Sequence, residues 1–381
     1  MDEIRFPRFQ FDSPLAAAII ELERSRAALA TPSELPPLFA ELRELFQHLT
    51  SMMSARIEGN RTTVADALAG AALAEAGHTP VRDDVREILQ LDQAGDYIDN
   101  LSCDGLVITH KLIRELHHIA VRGLGREGDR APGEYRTTSV AIAGSSHVPP
   151  GPESVYADMD QLVEFMNRDV APQMQLMQTA IAHHRFVWIH PFGNGNGRVA
   201  RLLTYAMLVK QGFTAAGGYR ALNPTVVFGA DRQAYYAHLT RADTLDDHGA
   251  VEWCTYVLRG VQDDLEHIRR LEEPATVLDE VYVPVLDHAY RSGVLDGRDV
   301  AVLTRIAGMG QVRAGQLQDL LPGSAAVRSQ QLRKLVDRRL VQRTAPTARS
   351  YQIKLVPNEL TIFVVRRLDE LGLLPSILRD E

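Results

Sequence analysis

The chain has 381 residues, 45% of them hydrophobic and 24% charged, with a formal net charge of −8. That length suits two or three domains, each able to bury a core without a disulfide or metal staple. The two cysteines, Cys103 and Cys254, lie far apart with neither metal-ligand spacing nor a disulfide framework, which argues against a disulfide-stapled secreted scaffold.

The N-terminus, Met1-Asp2-Glu3-Ile4-Arg5, is acidic where a signal peptide carries positive charge, and no apolar core follows it. No stretch reaches about 18 apolar residues, so the expectation is a cytoplasmic chain with no membrane partner. Pro14 to Leu29 carries apolar residues at helical spacing, and Pro32-Ser33 punctuates its end. Leu38 to Met53 is a second amphipathic helix with Leu42, Leu45, Phe46 and Leu49 on one stripe, broken at Glu58-Gly59-Asn60. Val64 to Ala76, Arg82 to Asn100 and Thr109 to Gly123 read as three more helices.

The pattern changes between Arg130 and Gly151. Pro132-Gly133 opens the stretch, Thr138, Val140 and Ile142 alternate with small or polar residues, and Gly144-Ser145-Ser146 makes a turn. This predicts a short β-hairpin in a helical protein. Helical spacing resumes at Val155 to Val170 and Met174 to Ile189, and again from about Arg198 to Gln211, Ala230 to Thr240 and His248 to Leu271.

The C-terminal part has another rhythm. Asp299 to Ile306, Arg313 to Leu320 and Ala325 to Arg338 predict three short helices, and Val341-Gln342-Arg343 and Tyr351-Gln352-Ile353-Lys354 predict two strands around a turn at Pro346. Three helices and a small hairpin make the winged-helix pattern. Arg298 to Lys354 holds eleven Lys/Arg against three Asp/Glu, while the remainder holds 30 against 46. A basic module on an acidic body implies different partners for the two. Its arginines, among them Arg328, Arg333, Arg343 and Arg349, suit DNA phosphates, although the same fold also serves protein interaction or dimerisation, so a homodimer is a further expectation.

The most informative segment runs from His190 to Arg201. Three glycines in five residues, Gly193, Gly195 and Gly197, hold neither helix nor strand but let a ligand approach backbone closely. The helix that follows brings free N–H groups and a positive dipole end to the same point, which makes an anion site. Arg198 and Arg201 lie three apart on that helix and can face one polyanion. His190, at the other edge, suits a general base, and the Asn196 amide can donate to a phosphate oxygen. The competing reading is a glycine-rich linker beside a satisfied histidine.

Residues 190 to 201 resemble the signature of the Fic (filamentation induced by cAMP) family, HPFx[D/E]GNGRxxR, at every fixed position except 194. Gly133-Glu134-Tyr135-Arg136, Ala182-His183-His184-Arg185-Phe186 and the run Arg232 to Leu239 extend the resemblance over roughly residues 108 to 255. It implies a mainly α protein: a helical core with a small β-hairpin flap, plus a C-terminal winged-helix domain. The expected divisions are 1–107, with an inhibitory helix, 108–255 for the catalytic core, 256–294 as helical linker, 295–357 for the winged helix and 358–381 as helical tail.

The implied activity is transfer of AMP from ATP to a Ser, Thr or Tyr hydroxyl of a protein substrate, self-modification included. His190 would take the hydroxyl proton. Gly193, Gly195, Asn196 and Gly197 would hold the phosphates, Arg198 would assist the β-phosphate, and Arg201 would pair with the γ-phosphate. Tyr235 and Tyr236 would border the base or belong to the core, and His183 and His184 would pack on their helix. The flap, through Thr138, Val140 and Ile142, would align the target by strand addition. Where the family places an acidic ligand for Mg²⁺, this chain has Asn194, a neutral and weaker oxygen donor. Ser54, Glu58 and Gly59 resemble the family's inhibitory motif, [S/T]xxxE[G/N], in which Glu58 would occupy Arg201. The alternative is a DNA-binding regulator whose Fic domain only senses nucleotide.

Overall fold

The computed structural model describes residues 3–28, 37–75, 77, 82–101, 105–212, 224–271, 276–345, 347–374 and 376–378. Cys103, the Pro32-Ser33 break and the Pro346 turn lie outside the described residues. The chain divides into two compact units.

The first unit comprises Met1–Thr31, Thr50–Thr62 and Pro80–Glu266. It holds α1 (Pro14–Ala28), the last turns of α2 (Pro37–Ile57), α4 (Asp83–Asp99), α5 (His110–Val121), α6 (Val155–Asn167) and α7 (Pro172–Ile189). It continues with α8 (Asn196–Lys210), α9 (Pro224–Ala230), α10 (Arg232–Ala242) and most of α11 (Asp247–Leu271). At its centre α7 packs against α8, with α6 and α1 also on α7 and with α4 and α5 on α8. Both central helices are buried nearly all round, from Leu176 to Phe186 and from Val199 to Val209, as expected of a helix with no polar face. An aromatic cluster of Phe228, Tyr235 and Trp253 fills the space beside them, and Trp253 Nε1 donates to Ala180 O at 2.6 Å. Cys254 is buried in the same region, so its thiol behaves as a small hydrophobe.

The β-hairpin expected between Arg130 and Gly151 is not formed. The segment is extended, with a turn where Ser145 N–H donates to Ile142 O, but its arms share no strand ladder. Arg136 takes the place of the ladder. Its guanidinium donates to Thr138 O at 3.0 Å and Pro150 O at 2.6 Å, closing the base of the loop through one buried side chain.

The second unit comprises Pro32–Leu49, Thr63–Thr79 and His267–Glu381. Beyond the start of α2 it contains α3 (Val64–Glu75) and a π-helical turn (Val277–Tyr282) that leads into α12 (Val283–Arg291). Then come α13 (Gly297–Met309), β1 (Val312–Arg313), a 3₁₀ turn (Ala314–Leu317), α14 (Ala325–Asp337), β2 (Val341–Arg343), β3 (Ser350–Ile353) and α15 (Thr361–Glu370). The helix expected over Arg313 to Leu320 is instead this strand and 3₁₀ turn. Val312 pairs with Tyr351 and adds a third strand to the expected two, in the order β1-β3-β2, all antiparallel. A buried carboxylate ties the sheet to α2: Glu41 accepts from Gln342 Nε2 at 2.6 Å and from Leu355 N–H at 3.0 Å. Among the described residues, no helix is long and apolar enough to cross a membrane.

Candidate active site

The loop between α7 and α8 is built to hold His190 and the first turn of α8 together. His190 ends α7 in the left-handed conformation, φ 52° and ψ 61°, which costs a non-glycine residue on the order of 1 kcal/mol. Arg136 over-determines that position. Its Nε donates to His190 O at 2.7 Å, and its backbone N–H donates to Pro191 O at 2.8 Å. Phe192 is fully buried and stacks on the His117 ring, with centroids 3.7 Å apart. His117 is itself fixed, because Gly133 N–H donates to its Nδ1 at 2.9 Å and its Nε2 therefore donates to Asn194 O at 3.1 Å. Gly195, with φ 74°, precedes α8 against Val121, where a side chain would collide.

His190 Nδ1 donates to Val187 O at 3.1 Å, which leaves Nε2 as the nitrogen with a free lone pair. Burial lowers the ring's pKa to about 4, with the Arg136 charge acting in the same direction. The ring is thus neutral at physiological pH and able to accept a proton, as a general base must be.

Asn196 has a different task from the expected phosphate donor. Its Oδ1 accepts from Phe192 N–H and its Nδ2 donates to Phe192 O, both at 2.9 Å. The amide clamps the loop, and its residue supplies a backbone N–H at the first turn of α8.

Arg198 and Arg201 are both buried at that turn, and acids already hold both. Arg201 Nη2 donates to Glu58 Oε1 at 2.8 Å and to Ser54 O at 2.9 Å, while its Nε donates to Ser54 Oγ at 2.8 Å. Burial alone would raise the Glu58 pKa, but Arg201, with Arg198 and Arg232 further off, holds it below the usual carboxylate range. The carboxylate lies so close to Gly197 that any side chain there would strike it. Gly59, with φ 101°, turns the chain away just after Glu58. Arg198 Nη1 pairs with Glu87 Oε1 at 2.9 Å, and its Nη2 donates to Glu127 O at 2.7 Å.

Position 194 does not fit a metal ligand. Asn194 Oδ1 accepts from Gly195 N–H at 2.7 Å and its Nδ2 donates to Gly128 O at 3.1 Å, so the carboxamide is engaged within the loop. The nearest carboxylate to this turn, Asp129, is likewise occupied by the N–H groups of Asn194 and Ala131. A cation at Asn194 would share a neutral oxygen with a backbone donor, a weaker site than a carboxylate, so no step below is routed through Mg²⁺.

Tyr235 is core rather than rim: it is buried, and its hydroxyl meets His183 Nε2 at 2.9 Å. Tyr236 is 40% exposed, with the Arg232 guanidinium 5.5 Å from its ring centre. His183 and His184 are both buried in side-chain hydrogen bonds, to Thr204 and Asp243 respectively. Thr138 is exposed, and Val140 and Ile142 are half-buried on the extended loop. Three participants were not among the candidates: Glu87, His117 and Glu127. Their partners stand tens of residues away in the chain, and no spacing rule connects them.

The Fic/DOC family profile matches residues 107–208. These residues form a Fic/DOC domain. Protein adenylyltransferase Fic of Drosophila grimshawi is 32% identical over 231 residues, covering 60% of this chain and 44% of the relative. The Nematostella vectensis protein of the same name is 32% identical over 228 residues, or 59% of this chain and 49% of its own. The match thus spans less than half the length of these relatives. In structure, a Fic family protein from Desulfovibrio desulfuricans G20 superposes with a TM-score of 0.56 at 19% identity, over 93% of this chain and all of that one. Fic-1 from C. elegans superposes with a TM-score of 0.53 at 23% identity, over 67% of this chain and 72% of its own. At these identities the superpositions establish the shared Fic fold.

Two outcomes follow from this geometry. NMR titration of the His190 ring in the nucleotide-free protein will show a midpoint near 4, and a midpoint near the ordinary value of about 6.5 would contradict the account of its burial. Asn194→Asp will set a carboxylate oxygen against the Gly128 carbonyl, where a donor now sits. The expected loss is about 1–3 kcal/mol in urea unfolding, and unchanged stability would contradict the clamp.

Proposed function

We propose that the chain is an autoinhibited protein adenylyltransferase that moves AMP from ATP onto a protein hydroxyl. The target oxygen attacks the α-phosphorus, its proton passes to His190 Nε2, and the bond from the α-phosphorus to the bridging oxygen breaks to release pyrophosphate. The backbone N–H groups at the start of α8 and the side chains of Arg198 and Arg201 supply the positive field for the phosphates. Within the extended loop, the backbone between Thr138 and Ile142 joins no strand ladder and is offered to a target segment for strand addition. The match to proteins named adenylyltransferase supports this reading.

One observation carries the autoinhibited part. Glu58 occupies Arg201 at 2.8 Å and lies against Gly197, so a terminal phosphate and this carboxylate compete for one guanidinium. Two anions cannot share a buried cation without leaving one uncompensated.

A second reading, compatible with the first, concerns the C-terminal unit. Arg313, Arg333, Arg343 and Arg349 line a groove of about 950 Å³ between the 3₁₀ turn, α14 and the β2–β3 arm, with no acidic residue in its lining. Other arginines of the unit are ion-paired, Arg305 to Asp319 and Arg338 to Asp299 and Glu359. We infer that this groove takes the phosphates of duplex DNA, with the exposed Ser329 and Gln330 of α14 turned to the bases.

Two experiments test these readings. With ATP labelled at the α-phosphate, Glu58→Gly will raise covalent labelling of protein by at least about tenfold, the equivalent of ~1.4 kcal/mol, and adding His190→Ala will abolish it. Absence of label from Glu58→Gly, with ATP bound, would overturn the transferase reading. For the groove, the double change Arg333→Ala and Arg343→Ala will weaken duplex binding and reduce the salt-dependence slope by about two. An unchanged slope would place any nucleic-acid contact elsewhere.

A further inference from the structure

The two arginines of α8 are held by different acids, and the second arrangement carries its own consequence. Arg198 is fully buried. Its Nη1 meets Glu87 Oε1 at 2.9 Å, its Nη2 meets Glu127 O at 2.7 Å, and its Nε is a buried donor with no acceptor among the described residues. Glu87 stands on α4 and is 1% exposed. Its other oxygen, Oε2, accepts from Asn60 Nδ2 at 2.8 Å. Asn60 follows directly on Glu58-Gly59. It is held there by its own N–H to Ala55 O at 3.1 Å, by Nδ2 to Asp84 O at 2.9 Å, and by Thr62 N–H on its Oδ1 at 2.9 Å.

A continuous chain of hydrogen bonds therefore runs from the end of α2 through Asn60 and Glu87 to Arg198. The end of α2 touches Arg201 directly through Ser54 and Glu58. Among the described residues, its hydrogen-bonded route to Arg198 runs through Asn60 and Glu87. A guanidinium has free rotation along its stem and five donors, so a buried one is aimed by whichever acceptors surround it. Here the carboxylate of Glu87 and the carbonyl of Glu127 set the plane of Arg198 and leave the Nε edge unused. Burial raises the Glu87 pKa above its ordinary value, and Arg198 and Asn60 offset that only in part.

We propose that Glu87 is a positioning residue: it fixes Arg198 for an incoming polyphosphate and couples that arginine to the end of the braking helix through Asn60. This rests on the adenylyltransferase reading for the identity of the polyphosphate, but not for the coupling itself. A bland ion pair that merely stabilises α4 against α8 would change the melting temperature and leave anion affinity alone.

The test is calorimetric binding of ATP and of inorganic tripolyphosphate to the full chain, in the Glu58→Gly background so that Glu58 does not compete. Glu87→Ala will weaken binding by about tenfold. Glu87→Gln, which keeps a neutral acceptor for Arg198, will weaken it by about threefold, and Asn60→Ala, which cuts the relay but leaves the ion pair, will do the same. Equal affinity across all four proteins overturns the proposal. If Glu87→Ala does not fold, Asn60→Ala decides: unchanged affinity overturns it. Tripolyphosphate binding without ATP binding would sink the adenylyl reading while the same ladder of variants still judges Glu87. A parent protein that binds neither would overturn both.

Discussion

The arrangement around the His190–Arg201 loop depends on a buried cation and the carboxylate that matches it. Arg201 sits 2% exposed at the start of α8, and at that depth its charge must be matched by something. Glu58 matches it from α2 at 2.8 Å, with Ser54 accepting from Nε and from Nη2. Breaking such a pair by removing one partner commonly costs about 3–5 kcal/mol. Arg201 therefore needs an anion, and in the proposed reading a phosphate takes the place that Glu58 now fills. Under the proposed reading, that is the physical content of a brake which a nucleotide would displace.

The rest of the loop makes this choice consequential. His190 is neutral because it is buried, and its Nε2 is free because Nδ1 is committed to Val187. Arg136, His117 and Asn196 fix the backbone on which His190 and α8 meet, which leaves little to reorganise in the proposed reaction. The strained conformation of His190 persists because three elements over-determine it.

Much of this site was legible in the sequence because it is contiguous. His190, Arg198 and Arg201 fall within twelve residues, and the spacing of Ser54, Glu58 and Gly59 marked the opposing carboxylate. What was not legible depends on distant partners. Glu87 lies 111 residues from Arg198, and nothing in either local pattern joins them. The alternation at Thr138, Val140 and Ile142 reported an extended backbone correctly, but a ladder needs a partner strand. Arg136, visible in the sequence as a charge after Tyr135, closes the loop instead. Likewise Asn196 was read as a ligand donor because amides do bind phosphates, whereas the fold gives its amide to Phe192. In the C-terminal unit, the run read as a helix from Arg313 starts in a strand, because Val312 and Arg313 pair with Tyr351 and Ser350, and goes on as a 3₁₀ turn.

The most direct measurement of the central claim is a crystal structure of the wild-type chain with a non-hydrolysable ATP analogue. The competition for Arg201 predicts an exclusive outcome: where Glu58 Oε1 remains at its 2.8 Å separation, the terminal phosphate lies away from Arg201, and where the phosphate contacts Arg201, Glu58 has moved off. A terminal phosphate seated on Arg201 with Glu58 still in place would contradict the account.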